Sequence, residues 1–207
     1  MAYKYFNISL NSFGGAMGRT VQHANTEVTI NKPIQEVWDF VTAPHNWAFK
    51  LKLQAWRMHG PGGEEDTESV SHTMKVGERF FEYAYETDKF DIVGEWVITK
   101  CEPPHTYGFK TLKWYGPKLD TGVDATYTLT KIDENTTKWN RDRDTYNKEG
   151  KSEVEFLEGE DRLESMYQNA VKNYLETGNT GYPQQVPFDL HPRGYLQTLE
   201  VTECLYD

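Results

Sequence analysis

The most regular hydrophobic pattern in the chain is helical and lies near its C-terminal end. Apolar residues recur there at positions i, i+3, i+4, i+7 and i+8, which is the spacing of one face of an α-helix. Gly178 follows the last of them, where a left-handed helix cap favours glycine. The pattern therefore predicts a helix over residues 159–178. Its apolar face comprises Leu163, Met166, Tyr167, Ala170, Val171, Tyr174 and Leu175.

Period-two alternation of apolar and polar residues dominates the centre of the chain and predicts strands. Glycine, proline, asparagine or aspartate separates most of these segments, and such short connections are typical of an antiparallel meander. The predicted strands cover residues 21–30, 51–58, 70–75, 79–86, 90–100, 106–114, 122–132 and 136–146.

Two short helices are expected between the first two strands. Pro33 suits the first turn of a helix, and the apolar spacing of residues 34–43 continues it until Pro44. Residues 44–51 are expected to add a second helical turn. An antiparallel sheet has one face to bury, and only the long helix is large enough to cover it. The predicted fold is therefore α+β, with a curved antiparallel sheet wrapped around the long C-terminal α-helix.

The acidic composition narrows the range of partners. The 207 residues carry a formal net charge of −10, so nucleic acid is not expected as a partner, because phosphate binding needs a basic face. Binding to an anionic membrane surface is disfavoured for the same reason. Cys101 and Cys204 form no disulfide framework, and the first residues lack the apolar run of a signal peptide. We therefore expect a cytoplasmic protein with no membrane-spanning segment.

The order of these elements and several short motifs resemble the START-like, or SRPBCC, superfamily, which includes polyketide cyclases/dehydrases and the birch-pollen allergen group. Residues 30–41 (INKPIQEVWDFV) are similar to the family's opening strand and first helix, and residues 44–47 (PHNW) to the turn that follows. Residues 75–80 (KVGERF) and 97–109, with their Glu-Pro-Pro step, are similar to two later parts of its sheet.

The resemblance implies a helix-grip domain over about residues 21–178, with an N-terminal extension at 1–20 and a C-terminal extension at 179–207. It also implies a deep pocket for a hydrophobic or aromatic small molecule, although the fold alone does not fix the chemistry. The extensions are expected to serve as pocket lids or as contacts of a homodimer. No metal-ligand spacing, dinucleotide fingerprint or haem motif is present, so neither a metal nor a cofactor is expected.

Strand parity predicts which side chains line the pocket, because successive side chains point to opposite faces of a sheet. In the strand at 79–86, the set that begins at Arg79 is expected to face inward. In the strand at 136–146, Trp139 and Arg141 share the inward parity. The predicted ligand-binding residues are Trp47, Trp56, Arg79, Phe81, Tyr85, Phe90, Ile92, Trp96, Trp139, Met166, Tyr167, Ala170 and Tyr174.

Arg141 is the most informative of the inward residues, because a buried charge needs an anion or a polar partner. A carboxylate, phenolate or enolate oxygen of a ligand would suit its guanidinium group. One alternative is an ion pair with an acidic residue of the protein. The other is a position at the rim, where the stem packs and the charged head is hydrated.

The remaining catalytic candidates are groups that could transfer a proton. Tyr127 or Tyr83 would donate one to a substrate carbonyl, and His72 or His45 would remove one. The alternatives are ordinary core tyrosines with satisfied hydroxyls and surface histidines. Together with Arg141, these residues indicate a cofactor-independent cyclase, dehydratase or isomerase that acts on a hydrophobic or aromatic compound of secondary metabolism. The alternative function is a non-catalytic carrier or sensor of a hydrophobic ligand.

Overall fold

A computed structural model describes residues 20–44, 46, 57–59, 72–85, 91–115, 121–147, 153–181 and 201–203. The strands within these residues are β1 (Thr20–Ile30), β2 (Arg57–His59), β3 (Arg79–Tyr85), β4 (Asp91–Glu102), β5 (Thr106–Tyr115), β6 (Thr121–Asp133), β7 (Thr136–Asn147) and β8 (Val201–Glu203). The helices are α1 (Ile34–Val41) and α2 (Glu153–Thr177). The strands form one antiparallel sheet in the order β1-β7-β6-β5-β4-β3-β2, and β8 pairs with β5.

The predicted helix-grip fold is confirmed: a curved antiparallel sheet packs on a long helix near the C-terminus. Helix α2 begins at Glu153 rather than at residue 159, because the glutamates that precede the apolar pattern are themselves good helix formers. The C-terminal end of α2 agrees with the prediction from the glycine cap. Gly178 has a φ of 79° and donates its backbone N–H to the Tyr174 carbonyl at 2.8 Å.

One predicted strand is wrong in the part that the structure describes. Residues 72–75 are irregular instead of extended in the sheet. The Thr73 hydroxyl lies 2.6 Å from the Thr42 hydroxyl at the end of α1, and Met74 is buried, so this segment is tied to the helix side of the core. Residues 51–56 and most of the second predicted helical turn at 44–51 lie outside the described residues.

Helix α1 packs against both the sheet and α2. Its spacing buries Val37, Trp38, Phe40 and Val41 on one face. Trp38 meets Tyr107 of β5 edge to face at 5.9 Å between ring centroids, and Phe40 meets Tyr174 of α2 at 5.4 Å. Helix α1 therefore contacts both layers and limits how far α2 can slide along the sheet.

Strand β3 provides a direct test of which face is buried. Phe80 is completely buried on the side of α2, whereas Phe81 is half-buried on the opposite face of the sheet. Phe80→Ala should lower the free energy of unfolding by about 3–5 kcal/mol, the usual cost of emptying a buried phenylalanine site. Phe81→Ala should cost about 1 kcal/mol, as for a partly exposed site. Urea unfolding followed by circular dichroism measures both, and a larger loss for Phe81→Ala would contradict this orientation of β3.

The outer face of the β1–β7 pair carries a histidine between two acids. Protonated His23 donates from Nδ1 to Asp144 Oδ1 at 2.8 Å, and the same nitrogen lies 3.4 Å from Asp142 Oδ1. The hydrogen bond to Asp144 raises the pKa of His23 above its ordinary value of 6.5; burial opposes this shift, and the charges of Asp142 and Asp144 reinforce it. A raised folded-state pKa means that protonation of His23 stabilises the folded chain.

The sign of the pH dependence follows from this shift. The contribution of His23 is fully present below the unfolded pKa of 6.5, and it is lost as the pH rises through the higher folded value. Because the His23 side chain is 58% exposed, the effect should stay below about 1 kcal/mol. Urea unfolding at several values from pH 6 to pH 8.5 should show a smaller pH dependence for His23→Gln than for the unaltered chain. If the free energy of unfolding changes with pH equally in the two proteins, His23 does not have this role.

Candidate ligand-binding site

Aromatic rings form a continuous ladder across the concave face of the sheet. Trp96 of β4, Phe109 of β5, Tyr127 of β6 and Trp139 of β7 follow one another with centroid distances of 5.6, 5.1 and 5.1 Å. Tyr167 of α2 continues the ladder at 5.7 Å from Trp139. Every contact is steeply tilted, as the quadrupoles of aromatic rings favour. The face that α2 covers is therefore lined by rings from four neighbouring strands.

Arg141 lies on this apolar face, as its parity with Trp139 predicts. The strand register places it between Thr26 of β1 and Tyr127 of β6. Its guanidinium carbon lies 5.5 Å from the centroid of the Tyr127 ring and 5.1 Å from that of Tyr167. The electron-rich faces of two tyrosines thus hold a cation between the sheet and the helix. Its contact with a ligand stays a prediction.

Two indole groups of the ladder carry buried donors. The Nε1 atoms of Trp96 and Trp139 are shielded from solvent and have no hydrogen-bond partner in the part of the chain that the structure describes. Trp96 is 7% exposed and Trp139 is 0% exposed. Polar groups buried in this way are uncommon in folded proteins, and each one needs an explanation.

The tyrosine next to the ladder is held in its neutral form. Burial raises the pKa of the Tyr107 hydroxyl far above its usual range. Tyr107 can therefore donate a hydrogen bond, but it does not act as a phenolate at ordinary pH.

The predicted orientation of Arg79 and Phe81 is wrong. Phe80 faces the concave side instead and stacks on Trp96 at 6.2 Å with an interplanar angle of 4°. The Arg79 side chain is 54% exposed on the opposite face, where its Nη1 donates to Glu95 Oε1 at 2.9 Å. Both parities of this strand carry rings, so the alternation did not identify the buried set.

A buried carboxylate occupies the outer face beside these residues. The Glu95 side chain is 7% exposed and accepts hydrogen bonds from Arg79 and, at 3.0 Å, from the Tyr115 hydroxyl. Glu95 has the parity opposite to that of its neighbour Trp96, so its carboxylate lies on the face of the sheet away from the aromatic ladder. The Phe81 ring lies next to the same cluster, 6.2 Å from the ring of Tyr115.

Two charged residues of the concave face were not singled out from the sequence. Glu82 shares the face of Phe80 and stands opposite Gly94 in the register. Arg143 shares the face of Arg141 and stands between two alanines, Ala24 and Ala125. Correct parity would have identified Glu82, and the alternation of residues 139–143 already contained Arg143.

The other predicted site residues fall into three groups. Ala170 is buried against the core, and Met166 and Tyr174 are half-buried on α2. His72 is exposed at the surface. The remaining side chains lie outside the described residues; they are those of His45, Trp47, Trp56, Tyr83, Tyr85, Phe90 and Ile92.

The described part of the chain shows neither a metal centre nor a membrane-spanning helix. Its histidine, cysteine, aspartate and glutamate side chains form no group of three or more that could hold a metal ion. Neither of its helices combines the length and the apolar character needed to cross a bilayer.

Solved structures share the fold at low sequence identity. DynU16, a protein of the dynemicin biosynthetic locus, matches with a TM-score of 0.52 at 18% identity over 78% of this chain and 50% of its own length. This chain thus spans half the length of DynU16. A conserved protein from Geobacillus kaustophilus matches with a TM-score of 0.53 at 14% identity, over 76% of this chain and 97% of its own length. Ara h 8.0201 matches with a TM-score of 0.51 at 14% identity, over 76% of this chain and 99% of its own length.

A family model supplies the assignment that these structures alone cannot give. No curated protein matches the chain significantly. The model described as "polyketide cyclase / dehydrase and lipid transport" matches residues 21–174, which contain the sheet strands β1–β7, the helix α1 and most of α2. The chain therefore belongs to the polyketide cyclase/dehydrase and lipid transport family of the START-like (SRPBCC) superfamily.

Proposed function

We propose that the protein binds a hydrophobic or aromatic small molecule with an acidic oxygen between α2 and the concave face of the sheet. The observation that carries this proposal is the position of Arg141, whose guanidinium group lies between the rings of Tyr127 and Tyr167 beside the aromatic ladder. The family assignment supports the hydrophobic character of the ligand.

The physical argument concerns the cost of placing a cation among rings. Desolvation of a guanidinium group is unfavourable, and cation–π contacts recover about 0.5–2 kcal/mol each. A guanidinium group is planar and presents its N–H donors in a fixed geometry that matches a carboxylate. A carboxylate or enolate oxygen at this edge would accept charge-assisted hydrogen bonds, and the ligand's apolar body would lie along the ladder.

The proposed chemistry is a cofactor-independent cyclisation, dehydration or isomerisation. Arg141 would stabilise the negative charge that develops on an enolate oxygen, and Tyr127 would donate a proton. His72 or His45 would remove a proton from the substrate, and Glu82, which shares the concave face, is a further candidate for that role. The cyclase/dehydrase part of the family description supports this class of reaction.

A carrier or sensor is the second candidate, and two observations favour it. The family description also includes lipid transport, and His72 is exposed at the surface, where it is poorly shielded for proton transfer. The two functions differ in what is recovered after incubation. A carrier returns its ligand unchanged, whereas an enzyme returns a product with water lost, a ring closed or a double bond moved.

Replacement of Arg141 by methionine tests the proposed function, because methionine keeps most of the stem's packing and removes the charge. With anthracene-2-carboxylate as the probe, Arg141→Met should raise the dissociation constant by about tenfold to a hundredfold, the range for losing hydrogen bonds to a charged group. Isothermal titration calorimetry measures this change. With a turned-over substrate, the rate should fall by about two to three powers of ten.

Arg79→Met is the matched control, since Arg79 is an arginine on the opposite face of the same sheet. It should leave the affinity for the probe unchanged. If Arg141→Met instead keeps the affinity and lowers the free energy of unfolding by about 3–5 kcal/mol, Arg141 is one half of a buried ion pair and the proposed function is wrong.

A further inference from the structure

Two of the buried donors of the concave face belong to indole groups, which can only donate. An indole nitrogen has one N–H and no acceptor capacity, so only a ligand atom with a free lone pair can satisfy it. The Nε1 atoms of Trp96 and Trp139 are both buried and have no partner among the described residues. Each one costs free energy in the unliganded protein, which an acceptor oxygen would recover.

Two tyrosine rings pack against the Trp139 indole. Tyr127 and Tyr167 approach its indole at interplanar angles of 79° and 75°. Trp139 is also two residues before Arg141 on β7, so both side chains project from the same face of one strand. A ligand whose acidic group meets Arg141 would thus bring the adjoining part of its ring system to the Trp139 indole.

The second donor stands at the far end of the ladder. Trp96 lies on β4, three strand spacings from β7, which corresponds to about 14 Å across the sheet. Phe109 and Tyr127 bridge this distance with their rings. Gly94 makes room for the Trp96 indole, since a Cβ atom on Gly94 would lie 2.7 Å from Trp96 Nε1. A ligand that reaches both donors must be flat and elongated.

We propose that Trp139 and Trp96 are specificity-determining residues that select a fused-ring aromatic ketone or quinone acid. In this complex the carboxylate meets Arg141, a ketone oxygen next to it accepts a hydrogen bond from Trp139 Nε1, and a more distant ketone oxygen accepts one from Trp96 Nε1. Hydrocarbon rings of the same shape leave both donors unpaired and bind less tightly. This inference rests on the proposed function, because Arg141 orients the ligand.

Two probes separate this inference from the proposed function. Anthraquinone-2-carboxylate and anthracene-2-carboxylate have the same three-ring frame and the same acid, and they differ in the two ketone oxygens. We expect the unaltered protein to bind the quinone about threefold to tenfold more tightly, the range for one net hydrogen bond. In Trp139→Phe, which keeps a ring and removes the N–H, the ratio of the two dissociation constants should fall to about one.

Trp38→Phe is the matched control, because Trp38 is a buried indole of the same core that lies on α1 away from the ladder. It should leave the ratio unchanged. Replacing Trp139 by 3-benzothienylalanine, which exchanges the N–H for sulfur and keeps the bicyclic ring, should abolish the preference without the cavity that phenylalanine leaves. A four-ring quinone carboxylate reaches further along the ladder, and its additional affinity should be lost in Trp96→Phe.

The outcomes are distinguishable. If anthracene-2-carboxylate binds in an Arg141-dependent manner and the quinone gains nothing, the donor assignment fails and the proposed function stands. If the preference survives in both Trp139 variants, the indole N–H is held by the ring faces of Tyr127 and Tyr167 and does not select the ligand. If neither probe binds, the proposed function fails and the inference fails with it.

Discussion

The docking of α2 on the first and last long strands of the sheet is the interaction on which the remaining structure depends. Strand β1 is an edge strand, and an uncovered edge exposes unpaired backbone groups. Gln168 is 2% exposed, and its side-chain N–H groups reach the carbonyls of Thr26 and Trp139 at 3.4 Å. One turn later, Lys172 Nζ donates to the Thr29 carbonyl at 2.7 Å. Without this polar stripe, covering the edge would bury carbonyl groups that lack donors.

The last turn of α2 anchors the other end of β1 through Glu176. Burial alone would raise the pKa of this carboxyl, but hydrogen bonds from Lys172 and from the Asn31 backbone N–H together lower it below its ordinary value. The helix thus presents two stripes to the sheet. The apolar one buries Tyr167, Ala170 and Val171, and the polar one satisfies the strand edge. The helical period predicted the first stripe; the second could not be predicted, because exposed and edge-covering polar residues look alike in a sequence.

The site could be predicted from the sequence only where the two faces of a strand differ clearly in polarity. In β6 only one parity is apolar, and its residues Val123, Ala125, Tyr127 and Leu129 are the buried ones. In β7 Trp139 identified the inner parity and with it Arg141, although Tyr146 stands at the opposite parity. Strand β3 reads Arg-Phe-Phe-Glu-Tyr-Ala-Tyr, with aromatic residues at both parities, so its pattern was ambiguous and Glu82 was placed on the wrong face. Whether an indole N–H has a hydrogen-bond partner depends on the groups around it in the folded chain, so a sequence pattern could not predict these donors.

Ligand contact and helix docking are linked through one turn of α2. Tyr167 supplies one of the two rings beside Arg141, and the next residue, Gln168, holds the carbonyl of Thr26, which pairs with Arg141 across the β1–β7 ladder. An anion that engages Arg141 while the rings stay in place adds its binding free energy to the stability of the folded state. An anion that pulls the guanidinium group away from Tyr167 breaks a cation–π contact with the helix, so its binding stabilises the folded state less. Under the proposed function, the preferred ligand therefore presents its acidic group in the plane of the guanidinium group, where it engages Arg141 without displacing the Tyr167 ring.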